Sequence, residues 1–176
     1  NIFCMTGWMG IYVSKKKHDM LWPDMTGALL LLMTSGIFAY TYNNLPTHTW
    51  YCGVALLLAP TFAAMLWNKG GWIQNRANTL ALWCMFAQVF PLFQEQGKFA
   101  VLPVLYKDGV MDAAVRPTAV NPTMQGVIAI LALAANVICL AVVIKRAKEQ
   151  KKNPYTNEIF TDQRDFKLAM ARAEKE

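Results

Sequence analysis

The apolar positions of this chain come in long unbroken blocks, not in the alternation of a half-buried strand. No Asp, Glu, Lys or Arg occurs in the 44 residues from Met25 to Asn68. Two further uncharged blocks run from Ala77 to Gln94 and from Pro117 to Ile144. A helix needs roughly 20 apolar residues to cross a bilayer. The first block is long enough for two crossings, and Asn44-Leu45-Pro46-Thr47-His48 carries the turn formers that would separate them. The pattern predicts an all-α, polytopic membrane protein with four transmembrane helices in two antiparallel hairpins. The spans fall at 26–43, 49–68, 77–94 and 123–144. A turn at 43–48, a polar connector at 68–76 and a loop at 95–122 join them, so residues 15–144 form one bundle. No internal repeat is visible, which speaks against an inverted-repeat transporter.

The ends read differently. Residues 1–14 (NIFCMTGWMGIYVS) are apolar but too short to span, so they are expected as a surface helix or as the end of a span. Lys15, Lys16 and Lys17 follow this run, the reverse of a secretory signal. The first residue is Asn1, not Met, which reads as a processed or incompletely observed product. Residues 145–176 form a basic tail that continues the fourth helix outward until Asn153-Pro154 stops it. Thr161 is placed to cap a short amphipathic helix over 162–176. Phe166, Ala169, Met170 and Ala173 recur at i, i+3, i+4 and i+7 and give that helix a narrow apolar stripe.

Charge fixes an expected orientation. Lysine and arginine accumulate on the cytoplasmic-type side of membrane proteins. Lys15 to Lys17, the connector's Lys69 and Arg76, and the exit run from Lys145 through Lys152 put both termini and the 68–76 connector on that side. The 95–122 loop holds three basic and three acidic residues and is neutral. Lys15, Lys16, Lys17, Lys145 and Arg146 are the expected lipid-facing basic residues, so the net charge of +6 answers to orientation and anionic lipid, not to nucleic acid. Trp22, Tyr40, Tyr42, Trp50, Tyr51, Trp67 and Trp72 sit near span ends, where amphipathic rings anchor.

Candidate chemistry is sparse. Cys4, Cys52, Cys84 and Cys139 are far apart in sequence and form no CxxC motif. The two histidines, His18 and His48, sit at flanks; His48 is the one candidate pigment ligand. No charged residue lies within a span, although pumps and coupled transporters rely on such groups. Gln88 and Asn136 lie about 16 and 12 Å from the basic side at 1.5 Å per residue, matched well enough to meet. Ala129, Ala132, Asn136, Cys139 and Val143 form a small-residue face on the fourth span, suited to close helix packing. Pro60 and Pro91 can kink their helices. The 28-residue loop, through Phe99 and Tyr106, and the tail, through Phe166 and Met170, are the expected partner contacts.

These features predict a non-catalytic accessory subunit of a larger membrane complex. The expected host is an energy-converting assembly, respiratory or photosynthetic, in a mitochondrial inner or thylakoid membrane, with the termini on the matrix or stromal side. Its partners would be neighbouring membrane subunits and lipids, with no nucleic acid. No metal or catalytic set is signalled, and bound lipids or pigments are the expected ligands. The alternatives are a channel for a neutral solute through Pro60, Gln88, Asn136 and the 95–122 loop, and a small membrane enzyme acting on lipid or quinone near His48.

Overall fold

A computed structural model describes residues 2–44, 55–90 and 122–175. The described chain is mostly helical: α1 (Gly27–Asn44), α2 (Leu56–Leu66), α3 (Trp72–Val89), α4 (Pro122–Gln150) and α5 (Arg164–Lys175). Before α1 lie a 3-10 turn at Ile2–Cys4 and a small antiparallel ribbon, β1 (Tyr12–Val13) against β2 (Met20–Leu21), with Tyr12 opposite Leu21. The segment expected as a surface helix or span end therefore holds a turn and a strand. The helices stand near the expected positions, but α3 begins five residues early, at Trp72. Of the described helices, Thr123–Gln150 is long and apolar enough by itself to cross a membrane.

The main helix contacts make a row, α4 beside α1, α1 beside α2, and α2 beside α3. The α4–α1 seam uses Ala132, Cys139 and Val143, all buried, with Asn136 half-buried between them. These positions step by four, three and four residues, the spacing of a coiled-coil edge. The seam continues back to half-buried Ile128, four residues before Ala132, and leaves Ala129 exposed, so Ala129 does not belong to it. The cause is the helical repeat of 3.6, which drifts off a strict seven-residue pattern. Asn136 donates its side-chain amide to the Ala132 carbonyl at 2.8 Å, and the Cys4 thiol donates to the Asn136 carbonyl at 3.4 Å. Gln88 is exposed on α3, at the far end of the row, so the expected Gln88–Asn136 pair does not form.

Between α2 and α3 the key group is Thr61. Pro60 cannot donate to the preceding turn. Next to it, the buried Thr61 hydroxyl donates to the Leu57 carbonyl at 2.6 Å and accepts from the Trp72 indole at 3.0 Å. Polar groups within an apolar helix pair are thus satisfied locally, as a low-dielectric setting demands.

The remaining described segments meet across one end of these helices. The ribbon, the 67–71 connector and α5 share backbone bonds: Trp22 N–H to the Gly70 carbonyl at 2.7 Å, and Lys15 N–H to the Ala173 carbonyl at 3.3 Å. The first segment also bonds the tail, Gly7 N–H to the Pro154 carbonyl at 2.9 Å. One buried cluster joins Cys4, Trp22 and the first half of α1 to Cys139 and Val143 of α4 and to Ile159 and Phe160 of the tail. The helix α4 ends at Gln150 with Lys151 in the left-handed region, three residues before Pro154.

Gly70 is a tight point of this platform, with a small, rigid neighbour that cannot move aside. Its φ is +75°, and a Cβ there would stand 2.7 Å from the Ala169 Cβ. Gly70→Ala is expected to destabilise by about 1–2 kcal/mol from the left-handed backbone and by about 1–3 kcal/mol from overpacking. The midpoint of thermal unfolding in detergent micelles, followed by circular dichroism, measures the loss.

Candidate functional site

Asp24 stands three residues before α1 and is fully buried. One carboxylate oxygen, Oδ1, accepts from the backbone N–H groups of Ile159 and Phe160 at 2.9 and 2.8 Å. The other, Oδ2, accepts from the Thr6 hydroxyl at 2.5 Å. The Trp22 indole donates to the Thr6 carbonyl at 2.9 Å and stacks at a tilt on Trp8, ring centres 5.5 Å apart. Asp24 therefore joins the first segment, the start of α1 and the tail. Burial pushes its pKa up, opposed by the Thr6 hydroxyl, the two backbone N–H groups and the charge of Lys152. A carboxylate whose oxygens are all committed this way holds segments together and is poorly placed to exchange protons with a substrate.

Ion pairs reinforce the joint from outside. Arg172 of α5 reaches Asp19 of the ribbon turn at 2.7 Å, and Lys69 of the connector reaches Asp165 of α5 at 3.1 Å. Lys69 also donates to the Met65 carbonyl at the end of α2. Arg146 pairs with Asp162 at 3.0 Å and lies 5.6 Å above the Phe160 ring. Arg146 is thus bound to the platform and is not the lipid-facing cation expected from its position. Lys15, Lys16, Lys17 and Lys145 are exposed. The Tyr12 hydroxyl donates to Glu158 at 2.8 Å, and that bond raises the phenol's pKa.

The tail helix turns its stripe inward. Phe166, Ala169 and Ala173 are buried and Met170 half-buried, so Phe166 in particular is spent on this chain's own packing and is not available to a partner. The helix begins at Arg164, two residues later than expected, with Asp162 committed to Arg146 instead of the first turn. His48, Cys52, Pro91, Phe99 and Tyr106 lie outside the described residues. Among the described residues no group of three His, Cys, Asp or Glu side chains could hold a metal ion.

Two grooves remain. An apolar groove of about 460 Å³ lies between α1, α2 and α4, lined by Leu31, Phe38, Leu57, Leu131 and Ala132. The Thr34 and Ser35 hydroxyls on its wall turn back to the Leu31 and Leu32 carbonyls at 3.1 and 2.6 Å. It can take a hydrocarbon chain or an apolar side chain and offers no chemistry. A second groove of about 550 Å³ lies between the end of α2 and α5 and is basic.

The sequence singled out the small-residue face and the flanking lysines but missed Asp24, Thr6 and the Asp19–Arg172 pair. Asp24 bounds an uncharged block and so looks like an ordinary flanking charge. Its one distinguishing signal is that no other acid adjoins the first apolar block.

Asp24→Ala would orphan two buried N–H groups, at about 1–3 kcal/mol each. Asp24→Asn keeps an acceptor for both and removes the buried charge. The raised folded pKa means that the stability linked to Asp24 is fully present below its unfolded value near 3.9. That stability is lost as pH rises through the higher folded value. Thermal midpoints measured across pH should fall on the alkaline side of that transition for the wild type, and Asp24→Asn should lack that fall.

Neither a curated protein nor a solved structure matches the chain. A family model described as a family of unknown function (DUF5692) matches residues 1–172. With nearly its whole length covered by that model, the chain belongs to the DUF5692 family.

Proposed function

We propose that this is an integral membrane protein of four spans, at 26–43, 49–68, 77–94 and 123–144, that serves as a non-catalytic structural subunit of a larger membrane assembly. The observation that carries the reading is the apolar surface of the outer helices. Only 17% of the apolar stretch of α4 is buried, whereas the core helix of a water-soluble protein is mostly buried. Ile130, Leu131 and Leu133 on α4 are each more than 60% exposed. On α3, Leu82, Met85 and Phe86 are each more than half exposed. Soluble monomers rarely expose contiguous apolar patches of such extent.

The row arrangement supports a role beside other proteins. A closed bundle gives every helix two neighbours, but α3 and α4 end an open row among the described residues. Their outer flanks suit lipid tails and neighbouring helices alike. The platform of the ribbon, the connector and α5 gathers three basic segments at one end of the row, where the charge rule would put them together. The neutral-solute channel finds no support of this kind. Pro60 is buried in α2, Gln88 is exposed on α3, and Asn136 sits in the α1–α4 seam, so they line no common path.

Native membranes solubilised in mild detergent test the proposal. The chain should resist extraction by alkaline carbonate. It should then migrate in a particle well above its own 19.8 kDa plus micelle, with other subunits. A lone monomer in its micelle would count against the subunit role, and release by carbonate would count against the membrane reading itself.

A further inference from the structure

The basic groove lies where a bilayer surface would meet the protein if the membrane reading above holds, and the inference rests on that reading. One wall is the end of the apolar helix α2. Leu66 is 68% exposed there, and Trp67 just beyond it is 71% exposed. The other wall is the outer face of α5. Arg164, Leu168, Ala171 and Lys175 all line the groove. At i, i+4, i+7 and i+11 they fall within about 60° of one another around the helix, roughly opposite the buried stripe of Phe166, Ala169 and Ala173. This exposed face is therefore itself amphipathic, a cation at each end and apolar groups between.

The charges in the groove do not cancel. Lys69 is paired with Asp165, and Arg172 with Asp19. Arg164 and Lys175 have no ion pair among the described residues and leave two positive charges unbalanced. Basic pockets beside membrane helices on the cytoplasmic-type side suit anionic headgroups. A guanidinium matches a phosphate with two parallel N–H bonds. The walls next to these cations, Leu66, Trp67 and Leu168, are apolar and suit the upper part of an acyl chain, and an indole such as Trp67 favours a membrane interface.

We propose that this groove binds an anionic phospholipid, its phosphate held by Arg164, with Lys175 about 16 Å further along α5 adding positive charge at the far end of the groove, and its first acyl carbons lying against Leu66, Trp67 and Leu168. Lys69 and Arg172, held by their carboxylate partners, fix the two walls of the site. The lipid would bridge the end of α2 to α5 and so brace the platform against the bundle.

Native mass spectrometry of the micelle-purified full chain, titrated with dioleoylphosphatidylglycerol or dioleoylphosphatidylcholine, tests the assignment. The wild type should prefer the anionic lipid. Arg164→Gln with Lys175→Gln should lower that preference about 30-fold, at roughly tenfold or less per basic group. Arg164→Lys with Lys175→Arg should keep it. Lys15→Gln with Lys16→Gln and Lys17→Gln removes more charge from another exposed site and should change it less than about threefold. Far-ultraviolet circular dichroism checks that each variant keeps its helices. Equal loss in the triple variant, or no loss in the double variant, overturns the site. Displacement of the lipid by millimolar inorganic phosphate shows a phosphate site and overturns the lipid assignment. A chain that resists carbonate extraction yet shows no lipid preference refutes the groove alone, whereas a chain released by carbonate refutes the membrane reading beneath it.

Discussion

A carboxylate taken out of water must be repaid by hydrogen bonds, and the architecture of this protein turns on how Asp24 meets that demand. Its oxygens accept from Thr6 near one end of the chain and from Ile159 and Phe160 near the other. Because α1 begins just after Asp24, the same group sets where the first helix leaves the platform. The cluster of Cys4, Trp22, Met25, Ile159 and Phe160 closes over this joint and keeps it dry. Removing the joint would leave the Ile159 and Phe160 N–H groups unpaired and weaken the hold of both segments on the start of α1.

Two kinds of adhesion work in this molecule. Along the row, in the proposed membrane, lipid is as apolar as leucine and burial of apolar area gains little. There the chain relies on fit: Ala132, Cys139 and Val143 let α4 approach α1 closely, and Thr61 ties α2 to α3. On the platform, ordinary aqueous physics returns. Phe160, Ala169 and Ala173 bury apolar surface, and Asp19, Arg146, Asp162 and Arg172 make charge-assisted bonds around it. The two regimes meet at Cys4, whose thiol donates into the α4 backbone from a segment that otherwise belongs to the platform.

Much of this was legible in the residue order. Uncharged block length located α1 and α4 to within a few residues, because a long apolar run without charges or breakers favours one long helix. The small-residue face around Cys139 was visible for the same reason that it packs. What stayed hidden depends on contacts between distant segments. Depth alone paired Gln88 with Asn136, but depth does not say which helices are neighbours, and the row puts α3 and α4 at opposite ends. The apolar stripe of α5 was read as a contact for a partner, whereas Phe166, Ala169 and Ala173 are buried within this chain, with Ala169 against Gly70 of the connector. Arg146 looked like a membrane-flanking cation because nothing in sequence announces Asp162 and Phe160 as its partners. Asp24 had the same disguise.

The sequence separation across the Asp24 joint has a consequence for biogenesis. Its two backbone partners lie 135 and 136 residues downstream. A ribosome delivers the chain in order, so α1 would emerge and insert with that acid still unmatched and hydrated. The joint can close only after Phe160 has been made. Closure of the platform thus waits on the segment that carries Ile159 and Phe160, and a chain cut short before it would leave Asp24 without its two backbone donors.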